Sequence, residues 1–137
     1  GSSPANTGNN PELACKNINI TGGNSFGSFD TIKATGSNIT ITGWAIDTQA
    51  PATSLHTDIY VTDPDGKRVG YRLSANQSRP DVNTYYSKLN VTGNHGWSTT
   101  IPVTKPGTYK VCAYAISAGL LGNNPELACK NINININ

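Results

Sequence analysis

Thirteen residues, GNNPELACKNINI, occur twice in this 137-residue chain, at 8–20 and again at 122–134. The match is complete, so chance does not account for it. The first copy starts at residue 8 and the second at residue 122, an offset of 114. That period is too long for a solenoid unit and suits one whole sandwich domain. The simplest account is a tandem array with a unit of that length, in which the chain opens inside the tail of one unit and runs through the next. The rival account is an engineered duplication of one strand. Under the tandem account, residues 1–20 are a cloning scar (Gly1-Ser2-Ser3) plus the tail strand of a preceding repeat, and residues 21–137 are the module. Thr21–Ser25 (TGGNS) reads as the linker between them.

A chain of this size buries roughly two-thirds of the surface it exposes when unfolded, so it can hold a core without metal or cofactor, and none is expected. Charged residues make up 13% of the chain, the formal net charge is +2, and no basic run occurs. Nucleic acid is therefore not an expected partner. No apolar run approaches the ~20 residues that span a bilayer, so membrane insertion is not expected. Thr, Asn, Gly and Ser abound while Met is absent, a balance that favours strands and turns over helices.

The pattern of the chain predicts an all-β fold, an antiparallel immunoglobulin-like sandwich of about seven strands with one short helix. Strands are expected at 29–34, 38–46, 57–62, 68–74, 96–103, 108–116 and 127–134. Asp63-Pro64-Asp65-Gly66 and Lys105-Pro106-Gly107 supply turns, because Pro pre-sets the first turn dihedral and Gly accepts a positive φ. In 38–46 the alternation breaks at Gly43, so Ile39 and Ile41 share a face with Trp44 only if a bulge lies there. By parity Trp97 and Tyr71 point into the core and Tyr60 faces solvent. Ser78 and Asp81 form a capping-box pattern around Pro80, which predicts a short helix over 79–86 at one end of the sandwich.

Four segments, GWAID (43–47), SRPDV (78–82), NHGW (94–97) and VCAYAI (111–116), follow one another in an order that resembles a bacterial immunoglobulin-like repeat. Such repeats occur in exported, wall-associated proteins of Gram-positive organisms, including actinobacteria. The resemblance covers residues 37–134 and implies a non-catalytic structural or spacer module. It also implies a secreted, cell-surface or cell-wall location, with neighbouring repeats of the same protein as partners. The alternative is an accessory module that binds carbohydrate or peptidoglycan, on a cell-wall or host glycan. No catalytic residue set accompanies the family, so none is carried over and no enzyme activity is expected. The resemblance further implies a cysteine pair in the last two strands, here Cys112 and Cys129, joined by a shorter or Gly/Pro-richer turn than residues 113–128.

Particular residues then carry expectations of their own. Cys112 has the opposite strand parity to Val111 and Ala113, and Cys129 the opposite parity to Ile132 and Ile134. A disulfide on the outer face follows, and with it an oxidising compartment. Arg79 is expected to be largely buried as a clamp between helix and sandwich, with Asp47 its first-choice partner and Asp81 beside it. Tyr60, Tyr85 and Tyr86 are the candidate glycan contacts. His95 is expected to order a turn. Asp63 and Asp65 are explained by a hairpin turn, and with Asp58 they do not match a calcium loop, so no metal is expected. The four N-x-[ST] sequons are a consequence of composition.

Cys15 is the odd cysteine. Residues 8–20 and 122–134 are identical, so side-chain contacts cannot decide which fills the final-strand position beside Cys112. The shorter loop to Cys129 is favoured by about 1.5 kcal/mol in closure entropy. Cys15 is therefore expected to be free or intermolecularly bonded, and residues 8–20 to be the route of any strand-exchange dimer.

Overall fold

The computed structural model describes residues 24–119 and 122–136. The expected N-terminal tail strand, Cys15 and the first copy of the duplicated segment lie outside them. Seven antiparallel strands form two sheets: β1 (Ser25–Thr35), β2 (Asn38–Asp47), β3 (His56–Thr62), β4 (Arg68–Ser74), β5 (Gly96–Pro102), β6 (Gly107–Ile116) and β7 (Glu126–Ile134). One sheet has the order β1-β2-β5 and the other β4-β3-β6-β7. The chain thus crosses between sheets after β2, β4 and β5, in the manner of an immunoglobulin-like sandwich. A helix, α1 (Pro80–Tyr85), and a 3-10 turn (Ser87–Leu89) join β4 to β5. Among the described residues no helix is long and apolar enough to cross a membrane.

The two inner faces supply the core. Ile39 and Ile41 from β2, Ile59 and Val61 from β3, Trp97 and Ile101 from β5, and Tyr109, Val111, Ala113 and Ala115 from β6 are all buried. Each set has a spacing of two, as a pleated strand with one covered face requires. In β2 the inward set continues through Gly43 and Ala45 without interruption, so Trp44 points outward. No bulge interrupts β2 at Gly43; the irregularity lies in the neighbouring strand, where the β1–β2 register shifts between Phe29 and Thr31. The extra residue is Asp30. A small second cluster of Ile46, Val82 and Val91, with Phe26, Trp44 and Tyr86 packed against it, holds α1 to the outer side of the smaller sheet.

Tyr71 departs from its expected place. It pairs with Ile59, and Val69 pairs with Val61, so both share the parity of core residues. Yet Tyr71 is 39% and Val69 42% exposed. The reason is the unequal width of the sheets: β4 is the outermost of four strands and the facing sheet has only three. The inner face of β4 therefore overhangs, leaving a groove of about 250 Å³ between β4 and the end of β5, lined by Val69, Tyr71, Ile101 and Val103.

Helix α1 begins one residue later than the capping-box pattern implies. Its N-cap is Arg79, with φ −139° and ψ 77°, and no side chain caps it. Pro80 disfavours helical dihedrals at the residue before it, so the helix cannot start earlier. The Asp81 carboxylate that would have reached back to Ser78 is taken by the Arg79 guanidinium.

The chain crosses the sandwich from pole to pole. β1 starts at the end that carries α1, where the Ser25 and Ser117 hydroxyls are 2.5 Å apart. β7 ends at the opposite pole, where Ile134 pairs with Gly107.

Candidate functional site

Three of the four segments GWAID, SRPDV, NHGW and VCAYAI converge at the helix pole around Arg79. Its Nε and Nη2 donate to the two carboxylate oxygens of Asp81 at 2.9 and 2.8 Å. Nη1 donates to Asp30 at 2.9 Å and lies 3.5 Å from the Gly43 carbonyl. The guanidinium fork thus ties the start of α1 to the bulge of β1 and to β2. Gly96 lies directly beneath: a Cβ there would come within 2.6 Å of the Arg79 side chain. Hydrogen bonding to Asp81, then to Asp30, holds the Arg79 guanidinium well above its ordinary value, and burial opposes this only in part.

Asp47 is not the partner of Arg79. Its carboxylate is 1% exposed and accepts from the amides of Gln49 at 2.9 Å and Ala118 at 3.1 Å. It therefore ties the loop after β2 to the loop after β6. Asp30 takes the place expected of Asp47, because the bulge turns the Asp30 side chain outward beneath α1. Arg79 itself is half-buried, with 29% of its side chain exposed, rather than largely buried. His95 completes the pole. Its ring is buried, Nε2 donates to the Thr92 carbonyl at 2.7 Å, and its own carbonyl accepts from Ala45.

The outer face of the larger sheet carries the second candidate site. Cys112 and Cys129 are opposite one another in the β6–β7 ladder, with Cα atoms 4.0 Å apart, and are joined by a disulfide. The Tyr114 hydroxyl donates to Glu126 at 3.0 Å, which raises the phenol above its ordinary value. Tyr60 meets Tyr114 edge-to-face at 5.7 Å, and the Arg68 guanidinium covers the Tyr60 ring at 4.2 Å. Asp58 forms a two-bond pair with Arg72 on the same face.

The other two candidate tyrosines lie at the end of α1, Tyr85 as its last residue and Tyr86 as its C-cap. Tyr85 is 80% exposed, whereas Tyr86 packs tilted or edge-on against Phe26 and Trp44. Tyr85 and Tyr86 meet at 78°. The three candidate glycan contacts are thus split between two surfaces, Tyr60 on the larger sheet and Tyr85 and Tyr86 beside the smaller one. The ring pairs are edge-to-face or tilted rather than coplanar.

No family profile, characterised protein or solved structure matches this chain.

The three aspartates weighed for metal are also separated by the fold. Asp58 belongs to the outer face, while Asp63 and Asp65 belong to the β3–β4 turn at the far pole. Asp63 accepts from the amides of Asp65 and Lys67, both at 2.9 Å, and Lys105 bridges it to Asp65. The Lys67 amide, followed by Lys105, holds the Asp63 carboxyl below its usual range despite some opposing desolvation. Sequence reasoning missed the roles of Asp30 and Lys105. Asp30 had no signal without the bulge, whereas a Lys just before Pro106-Gly107 could have been matched to the acidic turn.

Proposed function

We propose that this chain is a non-catalytic spacer module of a repetitive protein that is secreted or displayed on the cell surface or wall. The carrying observation is the position of its two ends: β1 starts at the helix pole and β7 stops at the opposite pole. Units linked in series through such ends extend along the strand axis instead of folding back on one another. The duplicated segment supports seriality, since a tandem array would repeat its last strand at that offset. The disulfide supports export, because such bonds persist in oxidising compartments.

The test is small-angle scattering on arrays of one, two and three units. An eleven-residue β1 spans about 36 Å, so the maximum dimension should grow by roughly 40 Å per unit. A maximum dimension that barely changes between two and three units would overturn the spacer reading. Carbohydrate binding is the weaker reading: sugar stacking needs an open ring face, and Arg68 covers that of Tyr60.

A further inference from the structure

The boundaries of the duplicated segment coincide with those of a complete docking element. Residues 122–134 contain all of β7 and the anchor that precedes it. Asn124 Oδ1 accepts from the Ser117 amide at 3.0 Å, the Ser117 hydroxyl donates to the Asn123 carbonyl, and the Pro125 carbonyl accepts from Ala115 at 3.1 Å. Glu126 then binds Tyr114, Cys129 bonds Cys112, and Lys130 lies over the Phe29 ring. Ile134 closes the core at the far pole, fully buried. Residues 8–20 repeat every one of these groups, from Asn10 through Cys15 and Lys16 to Ile20.

The first copy cannot use them on its own domain. Placed in the β7 position, Ile20 would lie opposite Gly107, where Ile134 is. Ser25, the first residue of β1, is at the other pole beside Ser117. From Gly107 to Ser117 the sheet runs about 33 Å at roughly 3.3 Å per residue. The chain from Ile20 to Ser25 reaches at most about 18 Å. Bridging the gap would require stripping about three residues, Ser25–Gly27, from β2, which would also pull Phe26 from Trp44 and Tyr86. Reach therefore decides more firmly than the difference in loop entropy.

We propose that residues 8–20 are a donor strand for a second copy of this chain, entering the β7 position beside that copy's β6. Among the described residues β7 is an edge strand bonded only to β6, so it can leave without disturbing any other described ladder. The covalent step is thiol–disulfide exchange. The Cys15 thiolate attacks Cys112 of the second copy; the Cys15–Cys112 bond forms as Cys112–Cys129 breaks, and Cys129 departs as a thiolate and takes up a proton. One thiol and one disulfide enter and leave, so no oxidant is needed. The inference does not depend on the spacer reading and holds for any chain that carries both copies. Because the strands are identical, the resident β7 wins by effective concentration alone, on the order of millimolar for a short tether.

The experiment mixes equal amounts of ¹⁴N- and ¹⁵N-labelled full-length chain over a concentration series to about 1 mM, traps thiols by alkylation, and maps the peptides. Cys15–Cys112 peptides should grow with protein concentration, with alkylated Cys129 growing in step. Mixed-label pairs should be as abundant as the two unmixed pairs together. An intact Cys112–Cys129 bond with Cys15 alkylated at every concentration would overturn the proposal. So would Cys15–Cys112 peptides that carry only one label, since these arise within a single chain. In a second arm, Cys129→Ser with oxidised glutathione as oxidant should give covalent oligomers, and Cys15→Ser/Cys129→Ser should give none. Equal oligomer formation by both variants would also overturn it.

Discussion

Gly43 lies directly across the β2–β5 ladder from Trp97, and the Trp97 indole occupies the space that a side chain at Gly43 would need. A Cβ there would overlap both the indole and the Ser28 carbonyl of β1. The glycine is thus required by packing and not by a turn, since it lies inside β2 and is paired with β1 on one side and β5 on the other. The two motif segments that contain these residues are halves of one contact.

Gly43→Ala should therefore be costly although it adds only a methyl group. Backbone and a buried ring confine the site, so neither can move aside cheaply. Overpacking of this kind costs about 3 kcal/mol. The midpoint of urea denaturation should fall accordingly. Gly66→Ala, where a Cβ meets nothing within 4 Å, is strained by its φ of +88° but has no clash, and it should cost about 1 kcal/mol.

Arg79 and Asp47 act in parallel instead of as a pair, and their substitutions should reflect this. Arg79→Ala removes the charged bonds to Asp81 and Asp30 from a half-buried position, which should cost about 2 kcal/mol. Arg79→Lys should recover little, because an ammonium cannot reproduce the fork on Asp81. Asp47→Ala leaves the Gln49 and Ala118 amides without their acceptor and should also cost about 2 kcal/mol. The two losses should add within about 0.5 kcal/mol in a double-mutant cycle. A coupling well above that would mean the two clamps share a partner.

Most of the fold was legible because strand parity is a strong signal where both faces of a sheet differ. Val111, Ala113 and Ala115 alternate with Cys112 and Tyr114, and that alternation alone separates the core from the disulfide face. Tyr71 was misplaced because parity reports which way a side chain points, not whether the facing sheet is wide enough to cover it. Asp47 was misassigned for a related reason. The resemblance that joins GWAID to SRPDV suggested Asp47 as the partner of Arg79, but the bulge at Asp30 placed a different carboxylate under the guanidinium. A bulge changes register by one residue and leaves no mark in the composition of its strand.

Asp63 makes the β3–β4 turn sensitive to acid. Its carboxyl is held below the ordinary value by the Lys67 amide and by Lys105. A group with a depressed folded pKa stabilises the native state fully above its unfolded pKa, and that contribution is lost as pH falls through the folded pKa. The window therefore opens below the ordinary carboxylate value of 3.8. Asp81, held down by Arg79, acts in the same window and with the same sign. Thermal melts should show stability falling from about pH 4 downwards. Asp63→Asn should flatten that fall while lowering stability at neutral pH. A melt profile parallel to wild type throughout the acid range would count against this assignment.

The Cys112–Cys129 bond joins two strands that already pair, so its effect should fall on the unfolded chain more than on the native one. The two cysteines are 17 residues apart, and closing a loop of that size contributes about 3 kcal/mol in loop entropy. Cys112→Ala/Cys129→Ala should keep the sandwich, because both side chains lie on the outer face and the core residues Val111, Ala113 and Ile134 are untouched. Its far-ultraviolet circular dichroism should match wild type, while its unfolding free energy should fall by about 3 kcal/mol. The same variant weakens retention of β7 specifically, since among the described residues β7 is bonded to one neighbour only. Amide exchange should therefore accelerate first in residues 126–134 and last in β2 and β3, which are flanked on both sides. Uniform acceleration across both sheets would show that β7 is integral to the cooperative unit and does not leave alone.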